Sequence, residues 1–149
     1  MVLDNIKLSQ REKEYLVQLK RRTKIANWNV LCRWAFAASL SESSVPPEAK
    51  LASDSSIEMS WRTFGGEFAE IYEALLRHRC TVDGLGCTPD VLAKYFRLHL
   101  HRGIGYLFAD RSLQSIRQLI ERAVKPEERG PKPTRSNADT PRQDSAATS

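Results

Sequence analysis

The stretch between Asn27 and Leu40 limits what this chain can fold into more than any other. It predicts a helix starting near Asn27 or Asn29 and ending at Leu40. Val30, Leu31, Cys32, Trp34, Ala35, Phe36, Ala37, Ala38 and Leu40 make that helix apolar almost all round. Such a helix belongs at the centre of a core or at a subunit interface, because no face of it suits water. The segment before it has the opposite character. Ser9 and Glu12 match the S-x-x-E capping box, in which each side chain accepts the backbone N–H of the other residue. A helix from there to about Thr23 places Tyr15, Leu16 and Leu19 on one stripe. Ile6-Lys7-Leu8 precedes it as a short extended segment. The order is therefore short strand, capped helix, tight turn, apolar helix.

Further along, Ser41 to Ser56 holds six serines and Pro46-Pro47, the composition of a surface loop. Ile57-Glu58-Met59-Ser60-Trp61-Arg62 alternates apolar and polar, which predicts a half-buried strand. Gly65-Gly66 ends it. A helix from Glu67 to about His78 follows, with Phe68, Ile71, Tyr72 and Leu75 on one face. Arg79 to Cys87 reads as a loop. Thr88 then caps a helix with Pro89 at its first position, and Gly103 is placed to stop it. Leu113, Ile116, Leu119 and Ile120 mark a last helix over 112–123. From Lys125 to Ser149 four of the seven prolines and almost no large apolar side chain predict a disordered tail. The 149 residues thus make one mainly α domain, 1–124, with the tail 125–149.

The charge is concentrated. Residues 7–24 hold seven basic side chains (Lys7, Arg11, Lys13, Lys20, Arg21, Arg22 and Lys24) against Glu12 and Glu14, which equals the whole net charge of +5. The rest of the chain balances to zero. Localised positive charge is the footprint of a polyanion, because phosphate contact releases condensed counterions. A solvated helix face is the plainer alternative. No apolar run reaches the length of a membrane helix, so no membrane partner is expected. The start of the chain lacks the basic and apolar blocks of a secretory signal. Three cysteines, Cys32, Cys80 and Cys87, are too few to staple a secreted fold. A reduced, cytoplasmic protein is the expectation.

Little here promises chemistry. Six residues separate Cys80 from Cys87, which is not structural-zinc spacing, and His99 and His101 point to different sides of a helix. No metal site and no cofactor is expected. Glu67, Glu70 and Glu73 sit on one helix, whereas a nuclease metal site needs carboxylates converging from separate elements. The HRGIG segment, His101 to Gly105, is not a phosphate loop. Trp28, Trp34 and Trp61 could stack bases, but core packing is the simpler use.

The opening unit, with its RTKI turn (Arg22 to Ile25) between a basic and an Ala-rich helix, resembles a ribbon-helix-helix unit over about residues 5–40. Taken together, IKLSQREKEYLVQLKRRTKIANWNVLCRWAFAASL, IEMSWRTFGG and HLHRGIGYL (His99 to Leu107) resemble the DNA sulfur-modification family DndE. The resemblance implies a mainly helical, ribbon-helix-helix-like subunit that assembles as a homotetramer and works with other Dnd proteins in DNA phosphorothioation. It also implies binding of nicked double-stranded DNA through a basic surface. Lys20 matches the family's basic cluster most directly, with Arg21, Arg22, Lys24, Lys13 and Lys7 as further DNA-binding candidates. His101 and Arg102 are kept as candidate contacts to DNA or a partner protein. On this reading the chain is a non-catalytic DNA-binding accessory subunit that scaffolds the sulfur-transfer enzymes. The alternatives are a ribbon-helix-helix transcription regulator, which would discriminate DNA sequences, and a metal-dependent DNA nickase.

Overall fold

Ser9 opens the first helix as its sequence predicts: its Oγ accepts from Glu12 N at 3.2 Å, and Glu12 Oε1 accepts from Ser9 N at 3.1 Å. The computed structural model describes residues 5–110 and 116–124. In chain order these form β1 (Asn5–Lys7), α1 (Gln10–Thr23), α2 (Trp28–Leu40), β2 (Glu58–Ser60), α3 (Trp61–Gly65), a 3-10 turn (Gly66–Phe68), α4 (Ala69–Val82), α5 (Pro89–Ala109) and α6 (Ile116–Val124). The tail expected over 125–149 and the start of the helix expected from 112 lie outside the described residues.

The ribbon forms within the chain. β1 and β2 pair antiparallel, with Ile6 opposite Met59 and Lys7 opposite Glu58. Ile6 and Met59 face the core, while Asn5, Lys7, Glu58 and Ser60 face outwards. Leu8 N donates to Ile57 O and Ser55 N donates to Leu8 O, so the end of the serine-rich loop continues this pairing. Asp54 adds a second cap to α1 by accepting from Gln10 N at 2.9 Å.

One side of α2 is buried within the chain, while Ala37 is exposed and Trp28, Val30, Trp34, Ala38 and Leu40 are partly buried. The main partner of α2 is α5, with α1 and α3 beside it. Leu31, Cys32, Ala35 and Phe36 are fully buried. Phe36 lies at the centre of an aromatic cluster, 5.3 Å from Phe96, 5.8 Å from Phe64 and 6.2 Å from Tyr72 between ring centroids. Trp61 joins it 5.0 Å from Phe96.

Four sequence expectations change. The strand expected from Ile57 to Arg62 stops at Ser60, because Ser60 Oγ accepts from Thr63 N and caps α3 instead. Gly103 does not end a helix: α5 runs on to Ala109. A Cβ at Gly103 would lie 1.7 Å from the Ala35 carbonyl oxygen, so this glycine lets α5 cross α2 in backbone contact. Arg79 to Val82 belong to α4, not to a loop. Finally, α4 turns Ala69, Tyr72, Leu76 and Cys80 inwards and leaves Phe68, Ile71 and Leu75 exposed.

Candidate nucleic-acid interface

Helical spacing splits the basic side chains of α1 between its two edges. Lys13 and Lys20, seven residues apart, fall on one line, and Lys24 follows just beyond the helix end. Arg11 and Arg22 fall on the other edge, and Leu16, Leu19 and Thr23 between the edges are buried. Arg21 is exposed on the outer surface.

The arginine edge holds the fold together. Tyr15 stacks on Phe108 with ring centroids 4.0 Å apart. Arg22 lies over the same Phe108 ring at 5.2 Å and donates from Nη1 to Phe108 O at 3.0 Å. A cation thus answers a late carbonyl of α5, where the helix has no partner for it. Among the candidate DNA-binding residues, Arg22 is therefore already engaged.

The lysine edge has a different environment. The Lys20 ammonium lies 4.5 Å above the centre of the half-buried Trp28 ring. Lys13 donates to Ser56 Oγ at 2.6 Å. Lys24 closes α1 in the left-handed region, with φ at 62°, and its N–H donates to Lys20 O at 3.0 Å. Glycine or asparagine usually fills such a position, because a Cβ there crowds the backbone. Among the described residues, Lys20, Arg21 and Lys24 form no ion pair with a carboxylate. Lys7 extends the basic surface onto the outer side of β1, where Glu58 is its ribbon neighbour.

Beside this edge lies an open cleft of about 530 Å3, lined by Lys13, Asn27, Trp28, Asn29, Glu58 and Thr63 among others. α2 begins at the cleft, and Asn27, its N-cap residue, makes no side-chain capping bond. First-turn N–H groups of a helix carry partial positive charge and favour anions. Lys13, Glu58, two amide side chains, an indole and a helix N-terminus thus line this cleft, with Lys20 above the indole ring.

His101 and Arg102 do not join it. Arg102 is buried and commits its guanidinium to its own chain: Nε donates to Ser39 Oγ at 2.9 Å, Nη2 to Ser39 O at 2.8 Å and Nη1 to Ser44 O at 2.9 Å. Burial lowers its pKa from the usual arginine value. Arg79 performs a parallel task from α4, donating to Leu40 O at 2.9 Å and Ser44 O at 2.8 Å while pairing with Asp83 at 3.0 Å. Two cations thus cover the last carbonyls of α2, which has no basic residue in its own last turn. Sequence reading missed Arg79 in this role, as well as Arg97. Arg97 makes two hydrogen bonds, at 2.9 and 3.0 Å, to the carboxylate of Glu12, which is 1% exposed. Burial alone would raise the Glu12 carboxyl. The Arg97 bonds and charge, with the Ser9 N–H, outweigh it and hold the pKa below the usual value. His101 Nδ1 lies 3.9 Å from the same carboxylate. Nothing local in the sequence marks these pairs, since Arg97 and Glu12 are 85 residues apart.

The remaining chemical candidates stay separate. Cys32 and Cys80 are buried, and burial pushes their thiols up to about 12 and about 11. Glu67 and Glu70 are exposed, and Glu73 pairs with Arg77 at 3.2 Å. Among the described residues, no three His, Cys, Asp or Glu side chains stand close enough to hold a metal ion. Among the same residues, no helix is long and apolar enough to cross a membrane.

A strand–helix–helix core wrapped by further helices, with one basic helix edge, defines a small ribbon-helix-helix-like protein. Residues 5–115 match the model of the family described as DNA sulphur modification protein DndE, and the chain belongs to that family. The fold agrees. A crystal structure of DndE from Escherichia coli B7A, involved in DNA phosphorothioation modification, superimposes with a TM-score of 0.60. It shares 24% identity and covers 72% of this chain and 98% of its own. A DndE G21/24K mutant structure, involved in DNA phosphorothioation, gives a TM-score of 0.55 at 24% identity over 70% of this chain and 95% of its own. No match is found among curated protein sequences.

Proposed function

We propose that this protein is a non-catalytic, DNA-binding accessory subunit of a cytoplasmic DNA phosphorothioation system. It holds double-stranded DNA, preferring nicked or otherwise flexible duplex, and presents it to the sulfur-transfer enzymes as a homotetramer. The observation that carries this reading is Lys13 and Lys20 on one edge of α1, with Lys24 just beyond its end, beside the cleft at the start of α2. Arg21 and Lys7 extend the surface, and Arg22 supports α1 from behind. These side chains meet phosphates, so they fix position without reading sequence. Preference for a nick then arises from deformability: a nicked duplex bends at lower cost across a charged concave strip. The family match supports the sulfur-modification setting.

The outer side of the ribbon speaks against base reading. It presents Asn5, Lys7, Glu58 and Ser60, in which one acid offsets one base. A ribbon-helix-helix regulator needs donors and acceptors there that can enter a major groove.

Salt titration of binding to matched intact, nicked and single-stranded DNA tests the reading. Five phosphate contacts, from Lys7, Lys13, Lys20, Arg21 and Lys24, give a slope of log K against log salt near about −4.5. Tight binding that favours the nick and is lost when Lys20, Arg21 and Lys24 are neutralised is the expected result. Weak binding to all three, unchanged by those substitutions, would falsify it. Equal affinity for a rigid intact duplex would remove the bending explanation, and metal-dependent strand cleavage would establish the nickase instead.

A further inference from the structure

The cleft at the start of α2 contains groups for which a phosphate backbone has no use. It forms where α1, the start of α2, β2 and α3 meet, and its volume of about 530 Å3 lies in the range of small-ligand sites, about 300–1,000 Å3. The half-buried indole of Trp28 lines it, with the Lys20 ammonium 4.5 Å from the ring centre. Ile57 and Met59 add apolar lining. The polar atoms left open are chiefly acceptors. Asn29 donates its amide N–H to Thr63 O at 3.2 Å, which leaves Oδ1. Glu58 accepts from Asn5 Nδ2 on Oε1 at 3.2 Å, which leaves Oε2. Lys13, the cation in the lining, donates to Ser56 Oγ. A carboxylate at this place repels a phosphate, but it accepts readily from an amine on the edge of a base.

We propose that this cleft takes one unpaired nucleotide of a DNA strand, with its base stacked on Trp28 and its amine-bearing edge turned to Glu58 and Asn29. The proposal rests on the DNA-binding function above and names what that surface holds where the duplex is interrupted. An aromatic ring with a cation beside it is a platform for unpaired bases, because every base has a face to stack and its phosphate needs positive charge. Trp28 supplies the ring. Lys20 supplies the cation, whose flexible stem lets it pass from the ring to the phosphate next to the base. A paired base is unsuited to the cleft, since its edge is occupied and both its faces are covered by neighbours. A base beside a strand break has lost part of that cover. The edge then sorts the bases: adenine, cytosine and guanine carry an exocyclic amine for the open acceptors, and thymine does not. This is selection of one unpaired base, distinct from the groove reading of a regulator.

The experiment titrates the full chain, at one salt concentration, against nicked duplexes that carry a single unpaired residue at the nick: 2-aminopurine, thymine or an abasic sugar. The 2-aminopurine duplex should bind at least about tenfold more tightly than the abasic one, and its fluorescence should change as the base stacks. Trp28→Ala should remove both effects. Trp28→Phe keeps an aromatic face and much of the packing of this half-buried residue, so it should restore most of them. Glu58→Gln alters an exposed side chain and should narrow the preference for 2-aminopurine over thymine. Circular dichroism checks that each variant is folded. Equal affinity for the base-bearing and abasic duplexes, or a preference that survives Trp28→Ala, overturns the proposal. Equal affinity for 2-aminopurine and thymine overturns the assignment of the base edge to Glu58 and Asn29. Salt-dependent binding of all three duplexes with no effect of the base overturns the cleft and leaves the proposed function standing. Base-dependent binding of a short single strand, with no affinity for duplex, overturns the proposed function and leaves the cleft standing.

Discussion

At the residue scale, Lys24 and His99 carry the sharpest consequences. Lys24 holds a left-handed backbone that glycine adopts without strain. Lys24→Gly should therefore stabilise the fold by about 0.5–1 kcal/mol while weakening DNA binding and lowering the salt slope by about 0.9. Denaturant midpoints and filter-binding affinities would move in opposite directions, whereas a purely structural lysine would leave affinity unchanged. His99 is fully buried, with Nδ1 2.8 Å from Ser39 Oγ. Arg102 Nε donates to that hydroxyl, so the hydroxyl hydrogen is left for His99 Nδ1 and the ring is neutral. Burial first, then the charges of Arg102 and Arg79, push its pKa down from 6.5 to about 4. The unfolded chain binds the proton more readily than the folded one. Stability is thus complete above pH 6.5 and falls as the pH drops towards 4, by up to about 3 kcal/mol. Glu12 acts in the same direction at lower pH, because its lowered pKa protects only a charged carboxylate. Urea unfolding of wild type and His99→Gln between pH 5 and 6.5 separates the two effects: the variant should lose the slope in this window.

At the scale of one element, α1 has two basic edges with two different tasks. Truncating Lys20 removes a cation from above Trp28, which is half exposed, and breaks no buried hydrogen bond. Truncating Arg22 removes the donor to Phe108 O and the cation beside the Tyr15–Phe108 stack. Lys20→Ala should thus cost DNA affinity and leave the melting temperature nearly unchanged. Arg22→Ala should cost about 1–2 kcal/mol of stability and reduce affinity only as far as α1 shifts. Melting curves paired with binding isotherms give the comparison, and equal effects of the two substitutions would refute the division of α1.

At the scale of the whole molecule, the proposed homotetramer would present several lysine edges, and a duplex long enough to reach two of them would be held by linked contacts. A long nicked duplex should then bind at least about tenfold more tightly than one spanning a single subunit. Titrations against the two lengths test this, and equal affinity for both would refute linked binding.

The sequence by itself determined those features that rest on neighbours in the chain. The capping box of Ser9 and Glu12, the span of α1, the ends of α2, the Thr88–Pro89 start of α5 and the concentration of charge in α1 all depend on local backbone chemistry or on composition. Tertiary structure decided whatever depends on which elements touch. Gly103 is an ordinary helix stop in sequence, and only the crossing with Ala35 makes it an interior residue of α5. Phe68, Ile71 and Leu75 show the same three–four spacing as a buried stripe, but α3 and α5 occupy the other side of α4 and leave them outside. Arg22 and Lys20 are both cations near the end of one helix, and the placement of Phe108 and Trp28 separates a fold-holding residue from a candidate DNA contact. Periodicity gives the angle of a side chain about its own helix. Which angle faces the core is fixed only when the other helices are in place.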